Sequence, residues 1–580
     1  MKILKIGILT IFLNLFVGAL AQDVSLKLQK SIKLTEAARL QRWQQLKQPV
    51  WVGFGTTAIR YQQDIPPLET LQNSWSATAW KNEKVHTQIV VASKKKLERM
   101  SISTEDLVHT TGHRIQSENI TVGFVQYVLT DEFGNGCGRR KSMDFDSSWV
   151  ADIINTELTQ IAVASYNTQP IWISIKIPHN ARNGKYSGFI TVKADKDYRL
   201  PITINVINRT LPSPQDWSFR LDYWQHPAAI ARVHQVSLWS DKHFELMRKY
   251  YTMLAEAGQK IITASIVEEP WNHQTYDDFP SLIQWTKKAD GTWKYDYSLF
   301  DKYVAFVMSC GINKQINCYS MVPWKIAFKY YDEALQKDTV FTGKIGTPEY
   351  NEFWRNMLTD FTAHLKAKGW FNITTIAMDE RPMESMQAVI RLLKSIDPEW
   401  KVSLAGDYHA EIEKDIFDYC IASKWQYPEE ILRSRKQQGK ASTWYVCCTE
   451  KYPNMFTFSP PDEAVWAGWY TAATRMDGFL RWAFNSWTRS PLTDSRFITW
   501  PAGDTYQVYP GPLTSIRFEK LIEGIQDFEK INQLRKMYQQ HGETTKLNQL
   551  EAALQTFKIE RLSKESSRQM IEHYKHLLNE

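Results

Sequence analysis

Residues 350–382 read YNEFWRNMLTDFTAHLKAKGWFNITTIAMDERP, and the order of textures in this stretch decides the fold. Its first part reads as a helix, with Gly369 placed to end it. A short apolar run, TTIAM, follows and stops on two adjacent acids, Asp379 and Glu380. A helix feeding a buried strand whose far end turns polar is the repeating unit of a parallel α/β architecture. On a solvated loop such a pair of acids would mean nothing. At the C-terminal end of a barrel strand it stands where barrel enzymes keep their chemistry.

Outward from that stretch the unit recurs. Eight candidate strands span 218–224, 260–267, 314–321, 374–380, 401–408, 416–423, 442–449 and 478–487, with helical stretches between most of them. Eight strands alternating with helices predict a (β/α)8 TIM-type barrel over 213–530, with a doubly wound sheet as the alternative. Before it, residues 51–212 hold short β-rich runs such as KVHTQIVVAS and QPIWISIKIP, separated by Gly, Asn and Asp turns. That is the pattern of an antiparallel β-sandwich. The Pro-rich RTLPSPQDW (209–217) marks the boundary. Residues 22–50 show helical periodicity closed by Pro49, and GNGCGRR (134–140) reads as a hairpin turn, because no helix pattern follows it. From Leu513 onward the sequence is helical. Its first part is expected to be the eighth barrel helix, and 531–580 a C-terminal helical extension that packs rather than binds a partner.

The bulk numbers agree with a folded, multidomain protein of 580 residues, 43% hydrophobic and 23% charged. The formal net charge is +7, but basic and acidic residues are interspersed, so nucleic-acid binding is not indicated. The chain contains 23 Trp, 26 Tyr and 26 Phe. These fill a large core or supply the flat faces on which sugar rings lie, and composition alone does not choose. The opening MKILKIGILTIFLNLFVGALAQD combines Lys2 and Lys5, an apolar stretch and Ala19-Leu20-Ala21. It predicts a signal peptide over 1–21, cleaved after Ala21, and export to the periplasm or beyond rather than stable membrane insertion. Six cysteines are few for an exported chain of this length, so disulfides are not expected to build the fold, and Cys447-Cys448 reads as strand core. No metal-ligand spacing is present.

The strand ends carry the chemistry. Beyond the acid pair they bring Asp222, Trp224 and His226, then Tyr319 and Trp324, then Asp407, Tyr408 and His409, Trp444 and Tyr445 with Glu450 beyond, and finally Trp482, Asn485 and Trp487. Acids and aromatics converging on one mouth suggest a glycosidase. The ordinary glycosidase sets two carboxyl groups about 5–5.5 Å or about 6.5–9.5 Å apart across the scissile bond. Adjacent residues have Cα atoms about 3.8 Å apart, and in an extended strand their side chains point to opposite faces. Asp379 and Glu380 therefore suit a different division of labour. Glu380 protonates the leaving oxygen, while Asp379 accepts the N–H of a 2-acetamido group whose carbonyl oxygen attacks the anomeric carbon. Charge on Asp379 is expected to favour a protonated Glu380. This chemistry needs no cofactor and no metal.

Taken together, AMDERP (377–382), WYVCC followed by YPN (444–454), DGFLRWAFNSW (477–487), GDTYQVYPG (503–511) and SIRFEKLIEGIQDFE (515–529) resemble glycoside hydrolase family 123. LDYWQHPAAIAR with SLWSDKHF (221–244) is similar to that family's first barrel unit. The resemblance runs over roughly 50–540. It implies a β-sandwich followed by a (β/α)8 barrel, and an exo-acting β-N-acetylgalactosaminidase working on terminal β-linked GalNAc of a glycan or glycosphingolipid. It also implies Asp379 as the acetamido-polarising residue and Glu380 as the acid/base. For binding, Trp444, Trp482 and Trp487 are expected to wall the acetamido pocket, and Tyr445 to donate to the acetamido oxygen. Asp222, His226 and Asn485 are expected to read the sugar hydroxyls, and Tyr319 to stand among them. Each of these has an alternative place in barrel packing. A β-N-acetylglucosaminidase and a non-catalytic glycan-binding protein on the same scaffold remain alternatives.

Overall fold

A computed structural model describes residues 34–131, 137–138 and 146–580. The expected signal peptide and most of 134–140 lie outside the described residues. Within the expected N-terminal helix, Glu36–Gln45 is helical, capped by the Thr35 hydroxyl. Among the described residues no helix is long and apolar enough to cross a membrane.

The β-rich half forms two sheets, one of six strands and one of seven, the last sandwich strand being Asp197–Thr210. Their facing sides bury Ile, Val and Leu, among them Ile89, Ile171, Ile173, Ile190 and Ile204. The edge of the six-stranded sheet is completed by a piece of the other half: Thr514 and Ser515 pair antiparallel with Ile154 and Ile153.

The other half is a barrel of eight parallel strands: β1 (Arg220–Tyr223), β2 (Ile261–Ser265), β3 (Gln315–Tyr319), β4 (Thr374–Met378), β5 (Lys401–Gly406), β6 (Asp418–Ala422), β7 (Ala441–Tyr445) and β8 (Gly478–Arg481). The hydrogen-bonded order is β1-β8-β7-β6-β5-β4-β3-β2. Between β1 and β2 the ladder reduces to a parallel bridge, Leu221 to Gln259. Two side-chain amides replace the missing rungs. Gln259 accepts from the Tyr223 N–H at 2.9 Å and donates to its carbonyl at 3.1 Å, and Gln225 accepts from the Thr263 N–H at 2.9 Å. Buried backbone groups need partners, and two glutamines supply them where the strands part.

All eight strands occur where the sequence predicts them, though several are shorter. β8 ends at Arg481 rather than 487. One element was not foreseen. Insertions after β2 and β3 each fold as a hairpin, Gln284–Asp296 and Phe328–Phe341, and the two join into one four-stranded sheet. It packs on α1 (Pro348–Ala367), with Phe341 stacked on Phe353 at 4.4 Å and Trp285 on Phe353 at 5.2 Å. The same insertions carry Trp271 and Trp324, so this sheet anchors two loops over the mouth.

The C-terminal helices tie the halves together. α2 (Asp462–Ala473) crosses α3 (Ile516–His541) at Gly468 and Gly524. A Cβ on Gly468 would stand 2.0 Å from the Gly524 carbonyl oxygen, so the close approach requires glycine. α3 runs through the expected boundary at 530 without a break and ends only at Gly542, at φ 67°. The expected division between barrel and extension therefore falls inside one helix. Beyond it the chain returns to the sandwich: the Leu578 carbonyl accepts from the Trp80 indole at 3.0 Å. Lys530 pairs with Glu83 at 2.5 Å.

Candidate active site

β4 is buried along its whole length, and its end delivers Asp379 and Glu380 to the C-terminal mouth of the barrel. The alternation of an extended chain separates them. Asp379 is half-buried and turns toward the loops after β2 and β3, where two indole N–H groups meet it, Trp271 at 2.8 Å and Trp324 at 3.3 Å. Both donate to Oδ2. No hydrogen bond reaches Oδ1 from the described residues. Glu380 is exposed and turns toward β7, whose Tyr445 hydroxyl donates to Oε1. The guanidinium of the next residue, Arg381, lies over the Trp324 ring at 3.9 Å.

Burial pushes the Asp379 carboxyl up to about 6. The Trp324 hydrogen bond, the Arg381 charge and the Trp271 hydrogen bond draw it down, and the Glu380 charge adds a push upward. Tyr445 is raised, first by burial and then by the carboxylate it serves, so its hydroxyl keeps its proton to donate.

An aromatic floor lies under the pair. Trp224, Trp271, Phe279, Tyr319, Tyr445 and Leu480 form a cluster separate from the main core. Trp224 stands 5.0 Å from Trp271 and 4.9 Å from Tyr319, ring centre to ring centre. Trp482 flanks this cluster. Its indole donates to Asp504 at 3.1 Å, and Asp504 is fixed in turn by the buried Arg481 at 2.8 Å. Arg481 also donates to Asn454 at 2.8 Å. The YPN and GDTYQ motifs thus act here as bracing for the β7 and β8 ends.

Of the side chains expected at the site, Asp379, Glu380, Tyr445, Tyr319 and Trp482 meet at the mouth. The others do not. Trp444 is fully buried on the helix side, donating to Thr471 at 2.8 Å and packing on Tyr470 and Phe479. It precedes inward-facing Tyr445, so strand alternation turns it away. Trp487 lies beyond the end of β8 in the core, donating to the Val508 carbonyl at 2.7 Å and packing on Tyr250. His226 is buried and stacks on Phe279 at 3.6 Å. Its nitrogens are engaged by Ser486 at 2.8 Å and the Asp278 carbonyl at 3.3 Å, and burial lowers it to about 3. Asn485 clamps the His226 backbone through both amide atoms, at 3.0 and 2.8 Å. Asp222 points into the barrel below the floor, where burial and the Asp418 charge push it up to about 8. These five serve packing rather than the open pocket. Tyr445 meets the acid Glu380, not an open acetamido position.

Sequence reading missed Trp271 and Arg381 and gave Trp324 no role. Trp271 lies six residues past the end of β2 in EEPWNH, inside an insertion whose path the sequence does not reveal. The cysteine reading also changes. Cys448 is not strand core but is bonded to Cys137, joining the sandwich to the loop after β7. Cys447 beside it keeps a free thiol.

Among the described residues one group has metal-ligand spacing. Glu269, His273 and Asp278, in the loop that carries Trp271, have ligand atoms within 4.8 Å of one another. The same groups hold the loop together. Glu269 accepts from the backbone N–H groups of His273 and Phe279, and His273 Nδ1 meets Asp278 at 2.7 Å. The group reads as a clasp that shapes the loop.

Comparison with known proteins agrees with this architecture. Residues 224–534 match the glycoside hydrolase 123 catalytic domain, and residues 54–194 match the glycoside hydrolase 123 N-terminal domain. A solved family 123 glycoside hydrolase from Clostridium perfringens, described in terms of glycolipid glycan hydrolysis, is 30% identical. The alignment covers 87% of this chain and 91% of that one, with a TM-score of 0.80. A Bacteroides ovatus GH5 xyloglucanase is 8% identical over 79% of this chain and 99% of its own (TM-score 0.27). A glucosidase from Croceicoccus marinus is 11% identical over 53% and 66% (TM-score 0.31). Both of these align too loosely to carry an argument. No curated protein matches the sequence. With the catalytic-domain match alone spanning more than half of the chain, and the acid pair seated at the mouth of the matched barrel, this protein belongs to glycoside hydrolase family 123.

Proposed function

We propose that this glycoside hydrolase is an exo-acting, retaining β-N-acetylgalactosaminidase that uses the substrate's own 2-acetamido group as nucleophile. The observation that carries the reading is the pair itself. Asp379 is fixed by two indoles through Oδ2 alone, and Glu380 is exposed beside it. In this reading Oδ1 accepts the acetamido N–H and aims the carbonyl oxygen at the anomeric carbon. Glu380 transfers its proton to the glycosidic oxygen as the C1–O bond breaks, and the carbonyl oxygen closes an oxazolinium ring on C1. The Glu380 carboxylate then takes a proton from water. That water opens the ring at C1, and the sugar leaves with its β configuration retained.

The Clostridium enzyme described for glycolipid glycan hydrolysis supports a glycolipid glycan as the substrate, and the terminal β-linked GalNAc is what the family resemblance implies. The N-terminal sequence supports export to the periplasm or beyond, and the sandwich would serve as a buttress to the barrel. Rates on the 4-nitrophenyl β-glycosides of GalNAc, GlcNAc and galactose test the reading together. The GalNAc substrate is expected to be fastest and the galactoside, which lacks the amide, inert. A faster GlcNAc substrate would move the specificity to β-N-acetylglucosaminidase. Saturable binding without turnover would leave a glycan-binding protein.

A further inference from the structure

Arg381 follows the acid pair directly and precedes the helix Met383–Ile396, and the reaction outlined above gives it no task. Its surroundings are not those of a surface arginine. The guanidinium lies on the Trp324 ring at 3.9 Å. Trp324 is 43% exposed at the rim. The same indole reaches inward to Asp379 at 3.3 Å. Arg381 Nε is buried without a hydrogen-bond partner. No ion pair of Arg381 with either neighbouring acid is formed, although its charge acts on both. An arginine that forgoes an available salt bridge to cover an aromatic ring is spending its planar face rather than its donors.

We infer that Arg381 is a positioning residue for the acid pair: stacked on Trp324, it holds the indole N–H against Asp379 Oδ2 and keeps a positive charge beside the carboxylate. The inference rests on the reading of Asp379 as the acetamido acceptor. That role needs Asp379 ionised and correctly turned. Burial works against ionisation, and Arg381 works for it both directly and through Trp324. The other groups facing Asp379 do not supply the same help. Glu380 repels it, Tyr319 on β3 is neutral, and Trp271 offers a hydrogen bond without charge. Lys424, paired with Asp407 at 3.0 Å, acts on Glu380.

The test is the pH profile of kcat/KM on 4-methylumbelliferyl β-GalNAc, whose good leaving group relieves the demand on Glu380. Arg381→Met keeps an unbranched chain over the ring and removes the charge. It is expected to move the acidic limb upward by about one pH unit or more and to cost most below neutrality. Arg381→Lys should return the limb most of the way toward wild type. Trp324→Phe, which removes the N–H, should move the limb in the same direction, and the double variant Arg381→Met/Trp324→Phe should shift it less than the sum of the two. A uniform loss at every pH, or loss of thermal stability with an unmoved limb, would show that Arg381 only packs and would overturn the inference. Asp379→Asn measured alongside separates the two levels. If it keeps wild-type activity, the reading of the pair fails. If it is inactive while Arg381→Met keeps the wild-type limb, the inference about Arg381 fails alone.

Discussion

Asp152, at the seam between sandwich and barrel, and Asp379, at the barrel mouth, are both carboxylates with named donors, and they are treated in opposite ways. Asp152 is fully buried and saturated. Arg60 donates to it at 2.8 Å, Arg517 at 2.9 Å and the Tyr509 hydroxyl at 2.5 Å. Asp379 receives two neutral indoles on one oxygen and is pushed up to about 6. At Asp152 the buried charge is compensated on both oxygens. At Asp379 the charge is left short of partners, and in the proposed reaction the missing partner is the substrate amide.

The comparison is broken most visibly by removing each charge in turn. Asp379→Asn is expected to lower kcat/KM about a thousandfold or more, from loss of the amide acceptor. The variant should nonetheless fold. Because burial raises Asp379 from 3.8 to about 6, wild type loses stability relative to the Asn variant as pH rises through that window. Thermal scans should show the variant level with wild type near the lower limit and more stable above the upper one. Asp152→Ala should do the reverse. It strands Arg60 and Arg517 beside each other and should cost about 3–5 kcal/mol in urea unfolding, with kcat/KM of the remaining folded enzyme held within about twofold.

If ionised Asp379 is required, wild-type kcat/KM falls as pH drops below about 6. A rate independent of pH across that value would separate Asp379 from the reaction. The smallest effects sharpen the boundary between pocket and packing. Trp482→Ala should raise KM about tenfold, because its ring flanks the floor. Trp444→Phe should leave KM alone and cost about 1 kcal/mol for the bond to Thr471.

Those two tryptophans also show how far the sequence could be read. The eight strands were legible because parallel barrel strands are apolar on both faces and stand out as runs. The same property hides direction. When both faces are buried, hydrophobicity does not say which side chain points inward, so Trp444 and Tyr445 looked equivalent and only one reaches the mouth. Trp487 was misplaced because β8 stops at Arg481 and the chain then turns into the core. The acid pair was legible because an apolar strand ends on it. Its partners Trp271 and Trp324 were not, because they arrive on insertions braced by a sheet that only the fold reveals. The Cys137–Cys448 bond spans 311 positions of sequence, a distance that local spacing cannot bridge.

The central claim is that the substrate's own amide attacks the anomeric carbon while Asp379 and Glu380 assist. It is tested most directly by kcat/KM on aryl β-GalNAc substrates whose acetyl methyl carries zero, one, two or three fluorines. Each fluorine weakens the carbonyl oxygen as a nucleophile without altering the leaving group. A steep, monotonic fall along the series is expected. Rates that stay level from acetyl to trifluoroacetyl would contradict it.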